Sequence, residues 1–494
     1  MKENKLQMLL EVGVSLSAER NYNRLLEKIL HCVMELSNCD AGTLYLLEDG
    51  ALHFKIMRNN TLNTYAGGDG SDCGLPPVAL NRESVCAMAF LDNEVIRIED
   101  VWNCPQYDLT GPMRYDAITG YHTQSMIVVP MQNREGNKIG VLQLINAQDK
   151  NGAVCPFEDE IVLVVKSVAS QAAITVQNVR YIAEIKELFH SFVKVMSSAV
   201  DERTPYNGSH TRHMAQYGGR FLEFLNEHWE KTGEGVFFTP AHREEVLMSV
   251  WLHDIGKLVT PLEVMNKMAR LSPAQYTAFV HRMEVIRLRG QIARLSGAMS
   301  AQELEDMVRE TREAQALVDA VDAVGFVSDE RLAELDRLRE KTYLAEDGTR
   351  RPWLEPEEYA MLSIRKGTLS EEERKIMEGH VVITDKLLSQ IQFSAELSHV
   401  REWAAAHHEF LNGSGYPRHM SGEQVPYEVR IITILDIFDA LVADDRPYKP
   451  GLPVEKALNI LTIMAEKEGK LDPQLTKLFI ESKCWISEDK ESGQ

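Results

Sequence analysis

The chain has 494 residues, a length that at about 150 residues per domain predicts two to four domains. Hydrophobic residues make up 44% of it, which indicates a folded protein rather than a disordered one. The 74 acidic and 53 basic residues give a formal net charge of −21. Because no basic stripe stands out, this charge argues against a long nucleic acid as partner.

The chain also lacks the usual signals for membranes and secretion. It has no run of about 18 or more apolar residues, so we expect no membrane-spanning helix. Its first residues, MKENKLQMLLEVGVSL, lack the apolar core and cleavage pattern of a signal peptide. The seven cysteines include no Cys-x-x-Cys pair. We therefore expect reduced thiols and a cytoplasmic protein.

The first 180 residues mix helical and strand patterns. Residues 20–37 carry apolar side chains at helical spacing. Residues 41–57 predict a β-hairpin whose two strands meet at the turn Asp49-Gly50. Residues 125–147 predict a second hairpin around a turn that contains Gly136. This alternation indicates a sheet with helices, so we predict an α+β domain over residues 1–180.

A single long helix is predicted next, over residues 158–200. Its apolar side chains recur every three or four residues: Ile161, Val164, Val168, Ala172, Val176, Val179, Ile182, Ile185, Phe189 and Phe192. A long helix that leaves a folded domain often pairs with the same helix of a second copy, which predicts a homodimer. The alternative is a helix that packs on its own domain.

From about residue 200 onward the pattern is almost wholly helical. Residues 273–355 are rich in Ala, Leu, Arg and Glu, and their helix-start signals are Ser272-Pro273 and the capping box of Ser300 with Glu303. We predict that residues 273–355 are a helical arm inserted into a helical domain of residues 200–494. The fold class is therefore α+β followed by all-α.

Three clusters of metal-type side chains stand out in this half. They are His253-Asp254, His407-His408-Glu409, and Asp436 with Asp439. Asp436 lies in a strongly apolar sequence, where an unpaired buried carboxylate would cost several kcal/mol. Such a group is retained when it binds a metal or a polar partner. Imidazole with carboxylate suits Fe, Mn, Co or Zn, whereas Mg prefers oxygen ligands.

The number of candidate ligands favours two metals over one. A single ion needs only three or four protein ligands, but this half offers seven: His210, His253, Asp254, His380, His407, His408 and Asp436. Two ions about 3.5–4 Å apart could share a bridging carboxylate, activate water near neutral pH and neutralise charge on a phosphoryl group. These are the requirements of a phosphodiesterase.

Two stretches of this half resemble known motifs. Residues 253–257, HDIGK, are similar to the HD motif of metal-dependent phosphohydrolases, and residues 407–417, HHEFLNGSGYP, resemble the HHExxDGxGYP signature of the HD-GYP subfamily. The resemblance covers about residues 200–270 and 357–470. It implies a helical fold and hydrolysis of cyclic di-GMP to pGpG, often onward to GMP. Another cyclic dinucleotide, such as cyclic GMP-AMP, or a non-catalytic signalling adaptor stays as an alternative.

The resemblance also implies roles for individual residues. One divalent ion, Fe or Mn, would be held by His210, His253, Asp254 and Asp436. Asp254 would bridge to a second ion that His380, His407 and His408 complete. Asp254 and Lys257 would be catalytic, with Lys257 at the scissile phosphate. Substrate would contact Lys257, Gly415, Tyr416, Arg446 and Lys449. GGDEF or other signalling proteins are the partners that this family suggests.

Three features depart from the family pattern. Asn412 stands where the signature has Asp, and we expect little effect on the metals because size and hydrogen bonding are kept. Tyr206 stands where some members have a Glu that supports a third metal, so we expect two metals. An unusually long stretch separates Asp254 from His380, and His281 within it competes with His380 as the fifth ligand. The segment LSEEERKIMEGH favours His380.

The N-terminal half, residues 20–180, resembles a GAF domain, a small-molecule sensor with an antiparallel sheet. Residues 116–148 are most similar to the GAF domains of cyclic-nucleotide phosphodiesterases, and their Asn-Lys-Phe-Asp-Glu motif is matched loosely by Asn146, Lys150, Phe157, Asp159 and Glu160. The resemblance implies cAMP or cGMP as ligand; the candidate contacts are Asn146, Thr123 and Asp116.

A ligand-free GAF domain used for dimerisation, or one that binds another ligand, is the alternative. Because the helix 158–200 runs into the segment that bears His210, we expect ligand occupancy to shift this helix. Substrate access to the metals would change with it.

Overall fold

A computed structural model describes residues 13–14, 18–19, 21–68, 73–133, 135–203, 209–443 and 451–486. The chain divides into two compact units, Met1–His190 and Ser191–Gln494. Within the described ranges, no helix combines the length and apolar composition that crossing a membrane requires.

The N-terminal unit is built on one antiparallel sheet with the strand order β3-β2-β1-β7-β6-β5, in which β4 pairs with β2 and β8 with β7. The strands are β1 (Cys39–Glu48), β2 (Ala51–Asn59), β3 (Thr64–Gly67), β4 (Val78–Ala79), β5 (Ile96–Ile98), β6 (Met126–Gln132), β7 (Lys138–Gln148) and β8 (Val154–Cys155). The helices that begin in this unit are α1 (Tyr22–Ser37), α2 (Val85–Asp92), α3 (Thr110–Thr119) and α4 (Asp159–Asp201).

Both predicted hairpins are confirmed. Asp49 and Gly50 connect β1 to β2 with positive φ angles of 48° and 79°, the conformation that a tight two-residue hairpin turn requires. In the second hairpin, the turn between β6 and β7 contains Gly136 at φ 89°. The two hairpins join through β1 and β7, where Leu44 lies opposite Leu142.

The sheet is covered on both faces. In β6, Ile127 and Val129 join the apolar cluster formed with α1 and α4, whereas Met126 and Val128 join the cluster on the other side, with α2. Alternate side chains of a strand point to opposite faces. The continuous apolar run of this strand therefore reflects burial on both sides rather than a helix.

Helix α4 has 43 residues and occupies the stretch in which the sequence predicts one long helix. Its first part buries Val165, Val168, Ala172 and Val176 in the cluster with α1. Farther along the helix, Ile185 and Leu188 are 66% and 70% exposed. The apolar pattern of the helix thus continues beyond the part that the sheet covers.

The C-terminal unit is predominantly helical. Its helices are α5 (His210–Thr232), α6 (Pro240–Leu252), α7 (Leu262–Met265), α8 (Pro273–Leu295), α9 (Ala301–Asp322), α10 (Asp329–Arg339), α11 (Pro356–Leu362), α12 (Glu371–Glu378), α13 (His380–Leu388), α14 (Val400–Ala404), α15 (Tyr427–Val442), α16 (Val454–Glu466) and α17 (Pro473–Ser482). Short 3₁₀ helices lie at Ile255–Leu258, Ala395–Leu397 and Gly422–Gln424.

The main core of this unit forms where α5, α6, α15, α16 and α17 meet. The rings of Phe221, Phe438 and Phe479 pack edge to face at its centre. Helix α15 contributes Ile431, Ile434 and other buried side chains, which explains the apolar sequence around Asp436. This core holds the helix ends that carry the metal-type side chains.

The insert has a second core of its own, formed by residues from Leu271 to Leu362. Capping boxes begin α8 at Ser272 and α9 at Ser300. The side chain of Arg270 is fully buried and donates to the carbonyl oxygens of Val321 (2.6 Å) and Ile364 (3.0 Å). Arg270 thereby connects the segments at the two ends of the insert with the end of α9 inside it.

One part of the prediction for the insert was wrong, because the insert is not wholly helical. It contains a two-stranded hairpin, β9 (Thr342–Leu344) and β10 (Arg350–Pro352). The turn includes Gly348 at φ 80°, and Tyr343 packs against the insert core. Strands of three residues give no detectable periodicity, so the surrounding helical composition concealed them.

Candidate metal centre

The HD pair stands where helix α6 ends. His253 is the C-cap of α6, and Asp254 precedes the 3₁₀ helix Ile255–Leu258. The Nδ1 atom of His253 donates to the carbonyl oxygen of Val250 at 2.7 Å. A carbonyl only accepts hydrogen bonds, so Nδ1 carries a proton, and in the neutral ring Nε2 is the atom that offers a lone pair. His253 is therefore in the tautomer of a metal ligand.

Two other histidines are oriented in the same way. The Nδ1 atom of His380 donates to Met377 O, and that of His407 donates to Ala404 O, each at 2.7 Å. In each case the acceptor lies three residues earlier, at the end of a helix. Hydrogen bonds of this kind fix ring orientation and increase ligand basicity in metal sites. The three Nε2 atoms each lie within 3.8 Å of an oxygen of the Asp254 carboxylate.

His210, the first residue of α5, is oriented by a carboxylate instead. Its Nδ1 lies 2.7 Å from Asp439 Oδ2, and its Nε2 lies 3.3 Å from Asp436 Oδ1. Sequence reasoning noted Asp439 beside Asp436 but gave it no role. The available signal was its position, since residues three apart share one face of a helix.

Asp254 lies between two groups of histidines. Its Oδ2 atom is 3.2 Å from His253 Nε2 and 4.0 Å from His210 Nε2. Its Oδ1 atom is 3.4 Å from His380 Nε2 and 3.8 Å from His407 Nε2. One carboxylate thus faces imidazole nitrogens with both of its oxygens, which is the arrangement of a bridging ligand.

The seven predicted ligands therefore lie together. Potential ligand atoms lie within 4.8 Å of one another in each of two groups, one of His210, His253 and Asp254 and the other of His380, His407 and His408. Asp436 lies between them, because its Oδ1 is 3.3 Å from His210 Nε2 and its Oδ2 is 3.6 Å from His408 Nδ1.

The electrostatics of the cluster favour metal binding. Burial lowers the pKa of His380 and of His407, and it lowers the pKa of His408 to about 4. Burial alone would raise the pKa of the Asp254 carboxyl, but His253 and Lys257 hold it well below its usual range. At neutral pH His380, His407 and His408 are therefore neutral beside an ionised carboxylate, as ligands for a metal must be.

His210 behaves differently from the other histidines. Burial would lower its pKa, but the hydrogen bonds to Asp436 and Asp439 outweigh burial and raise the pKa to about 10. The pKa of Asp436 shifts in the opposite direction. Burial would raise it, but His210 and His408 outweigh burial and lower it.

The bonding of two buried atoms indicates whether the site suits a metal. His253 Nε2 and Asp254 Oδ1 are buried and have no hydrogen-bond partner among the residues that the structure describes. A buried polar atom without a partner costs about 1–3 kcal/mol. One divalent ion in each group would supply a partner for one of these atoms, and imidazole with carboxylate is the donor set of Fe, Mn or Zn. The residues therefore fit a pair of divalent ions.

Gly256 and Thr384 bring the second histidine group to the HD pair. A Cβ atom on Gly256 would stand 1.9 Å from His380 O, so only glycine permits this approach of α13. Thr384 Oγ1 donates to His253 O and accepts from Gly256 N, both at 3.0 Å. His281, the competing candidate, is exposed on α8 and belongs to neither group.

The predicted substrate contacts divide into described and undescribed residues. Lys257 Nζ lies 2.5 Å from Asp254 Oδ2; burial would lower the lysine pKa, but Asp254 raises it, so the ammonium stays charged. The Tyr416 ring lies 4.8 Å from that of His408 between centroids. Arg446 and Lys449 fall outside the described residues, as does Tyr206.

The glycine-rich loop folds back on the histidine pair. A Cβ atom on Gly415 would come within 2.4 Å of Phe410 N, and Tyr416 N donates to His408 O at 3.2 Å. Gly415 is thus needed for close backbone approach. Asn412 lies outside the two ligand groups and donates through Nδ2 to Glu468 O at 2.8 Å, a bond that an ionised Asp could not make.

The N-terminal unit contains a cavity of about 570 Å³ with a mainly apolar lining. Its polar lining residues include Thr43, Tyr45, Gln143 and Thr123. Of the three predicted ligand contacts, only Thr123 lines it. Asp116 accepts from Thr123 N (2.7 Å) and Thr123 Oγ1 (2.8 Å).

Asn146 also has a different place from the one expected. Its side chain accepts from Gln124 N and donates to His122 O, both at 2.8 Å. Both Asn146 and Asp116 thus hold the chain beside the cavity rather than face into it. Among the other motif residues, Phe157 is buried in the core and Asp159 pairs with Arg97.

Comparison with protein families matches both units. Residues 354–475 match the HD domain, and residues 21–176 match the GAF domain. The chain therefore contains an N-terminal GAF domain and a predominantly helical HD region. A solved structure, the GAF domain from Acinetobacter phosphoenolpyruvate-protein phosphotransferase, covers 37% of this chain and 98% of that chain at 13% identity, with a TM-score of 0.28.

Relatives with named activities match shorter stretches. The 3'3'-cGAMP-specific phosphodiesterase 3 of Vibrio cholerae is 40% identical over 97 residues, which is 20% of this chain and 20% of that protein. The cyclic di-GMP phosphodiesterase response regulator RpfG of Xanthomonas campestris is 33% identical over 130 residues, which is 25% of this chain and 32% of that protein. The similarity thus spans a third or less of these relatives.

Replacing Gly256 by Ala should separate the two histidine groups. The added Cβ would overlap His380 O, so we expect the free energy of unfolding to fall by about 1–3 kcal/mol and metal content to fall with it. Urea denaturation and mass-spectrometric metal analysis measure the two effects. Gly219→Ala is the matched control, because a Cβ there meets nothing within 4 Å. Unchanged stability and metal content in Gly256→Ala would contradict the close approach.

Replacing Asp439 by Asn should weaken metal binding without removing a ligand. The variant loses the negative charge that orients His210 and increases its basicity, so we expect metal affinity to fall about 10- to 100-fold. Competition with a chelator, followed by metal analysis, measures the affinity. Asp306→Asn on α9, a half-exposed carboxylate, serves as control. Equal affinity in wild type and Asp439→Asn would show that Asp439 does not support His210.

Proposed function

We propose that this chain is a metal-dependent phosphodiesterase that hydrolyses cyclic di-GMP to pGpG, and onward to GMP, under the control of its GAF domain. The observation that carries the proposal is the position of Asp254, whose two oxygens face two groups of histidines. Relatives with named phosphodiesterase activities on cyclic dinucleotides support the choice of reaction. Fe or Mn is the metal that we propose, from among those that imidazole with carboxylate suits.

The protein groups around the cluster suit a phosphodiester. Two bound ions would polarise a phosphoryl oxygen and lower the pKa of water. The charged Lys257 ammonium beside Asp254 is available to offset negative charge that develops on the phosphate. Tyr416, next to His408, offers a ring on which a base would stack. The cluster is thus lined by both a cation and an aromatic ring.

A second substrate, cyclic GMP-AMP, is favoured by one observation. The relative with 40% identity is named a 3'3'-cGAMP-specific phosphodiesterase, and both dinucleotides carry the same two phosphodiester bonds. A non-catalytic adaptor is disfavoured by the site itself, because a scaffold would have no physical reason to bury His253 Nε2 and Asp254 Oδ1 without partners.

Other parts of the proposal rest on the first unit and on helix α4. The exposed apolar side chains of α4, Ile185 and Leu188 among them, support a homodimer in which the helix pairs with its twin. None of the seven cysteines, all of which lie in the described ranges, forms a disulfide, and reduced cysteines support the proposed cytoplasmic location. The cavity beside Thr123 supports a small ligand, and cAMP or cGMP is the proposed one.

Turnover by the full chain tests the reaction. Anaerobically purified protein, supplied with Fe(II) or Mn(II), should convert cyclic di-GMP or cyclic GMP-AMP to linear products that chromatography separates. Asp254→Asn should lower kcat by about a hundredfold or more, because losing a shared metal ligand removes several kcal/mol of transition-state stabilisation. His281→Ala, an exposed histidine outside the cluster, should keep wild-type activity. Wild-type protein with two metals but no turnover of either dinucleotide would contradict the proposal.

Calorimetric titration of the full chain with cAMP and cGMP tests the regulatory part. We expect saturable binding of one of them, and a change in the rate of dinucleotide hydrolysis at the same concentration. Gln143→Leu removes an amide from the cavity lining and should weaken binding, because the ligand would lose a polar partner there. No heat of binding with either nucleotide would exclude cyclic-nucleotide control.

A further inference from the structure

Arg203 follows the end of α4 and contacts the segment after the HD pair. Its guanidinium donates to the carbonyl oxygens of Lys257 (2.8 Å) and Leu258 and lies 3.4 Å from that of Thr260. These carbonyls belong to the last turn of the 3₁₀ helix Ile255–Leu258 and the residues just beyond it. Arg203 is therefore a cationic cap on the segment that carries Lys257.

Asp201, the last residue of α4, contacts the other metal-bearing segment. It is buried, and its carboxylate accepts from Thr211 Oγ1 at 3.1 Å and from Thr211 N at 3.4 Å. Thr211 is the residue after His210, at the start of α5. The end of α4 thus holds one neighbour of His210 through Asp201 and the end of the HD segment through Arg203.

The physical effect of such a cap is to fix backbone position. The carbonyls at the C-terminal end of a short helix are partly negative and need donors, and an arginine fork satisfies several of them at once with charge-assisted hydrogen bonds. Without Arg203 the start of the turn would keep its bond from Gly256 N to Thr384 Oγ1. The carbonyl of Lys257 would keep only its local bond from Thr260 N at 3.2 Å. The backbone of Lys257 would then be held less firmly, and so would the position of its ammonium group beside Asp254.

We propose that Arg203 is a positioning residue of the phosphodiesterase site, and that with Asp201 it forms a latch between the end of α4 and the segments bearing His210 and Lys257. The inference rests on the proposed function for its effect on catalysis. Through this latch a movement at the end of α4 would reach both segments. If residues 201–203 are displaced, their bonds to Thr211 and to the carbonyls of residues 257–260 either break or move those residues with them.

Arg203→Ala in the full chain is the test. We expect kcat for the dinucleotide to fall on the order of 10- to 100-fold, as small misplacements of catalytic groups do, with a smaller change in KM and with metal content retained. Arg203→Lys should recover part of the rate, because it restores the charge without the fork. Added methylguanidinium should also raise the rate of Arg203→Ala, which a general loss of folding would not allow.

A second measurement does not depend on activity. Hydrogen exchange should show faster exchange over residues 254–260 in Arg203→Ala, but not in the matched control Arg212→Ala, whose side chain is exposed on α5. Wild-type kcat together with unchanged exchange in Arg203→Ala would overturn the latch. If the wild type turns over neither dinucleotide, the proposed function fails, and the exchange result alone then decides whether the latch exists.

Discussion

The C-terminal unit is organised around one buried carboxylate. Asp254 faces His253 and His210 with one oxygen, and His380 and His407 with the other. A charged group that is removed from water needs strong compensation, and the fold supplies it from four separate segments. The packing of the helix ends and the glycines at the close contacts bring those segments together. The tautomers of the histidines then present Nε2 atoms to the carboxylate.

The same local device is used three times to aim the ligands. His253, His380 and His407 each donate from Nδ1 to a carbonyl three residues earlier, so a helix end that would otherwise leave an unpaired carbonyl instead orients an imidazole. His210 begins a helix, where no such carbonyl is available, and Asp439 replaces it. The main core holds α15 in place and with it both Asp436 and Asp439. Ligand geometry is therefore a consequence of helix termination as well as of residue identity.

Much of this could be predicted from the sequence because the signals are local. Asp49-Gly50 predicts its hairpin, and Ser272 and Ser300 predict the starts of α8 and α9. The candidate ligands came from adjacent pairs and from a motif resemblance. The unpredicted features depend on contacts between distant residues: Thr384 meets Gly256 across 128 positions, and Arg203 meets Lys257 across 54. The prediction for Asn146 was wrong for another reason. A loose motif match suggested a ligand contact, but the side chain bonds to the backbone of residues 122 and 124.

The central claim is that Asp254 bridges two metal ions. Anomalous X-ray diffraction from crystals grown with Mn(II) or Fe(II), measured on both sides of the metal absorption edge, addresses it without reference to substrate. The account predicts two anomalous peaks about 3.5–4 Å apart, one beside His210 and His253 and the other beside His380, His407 and His408, with the Asp254 carboxylate between them. A single peak, or two peaks that do not share Asp254, would contradict it.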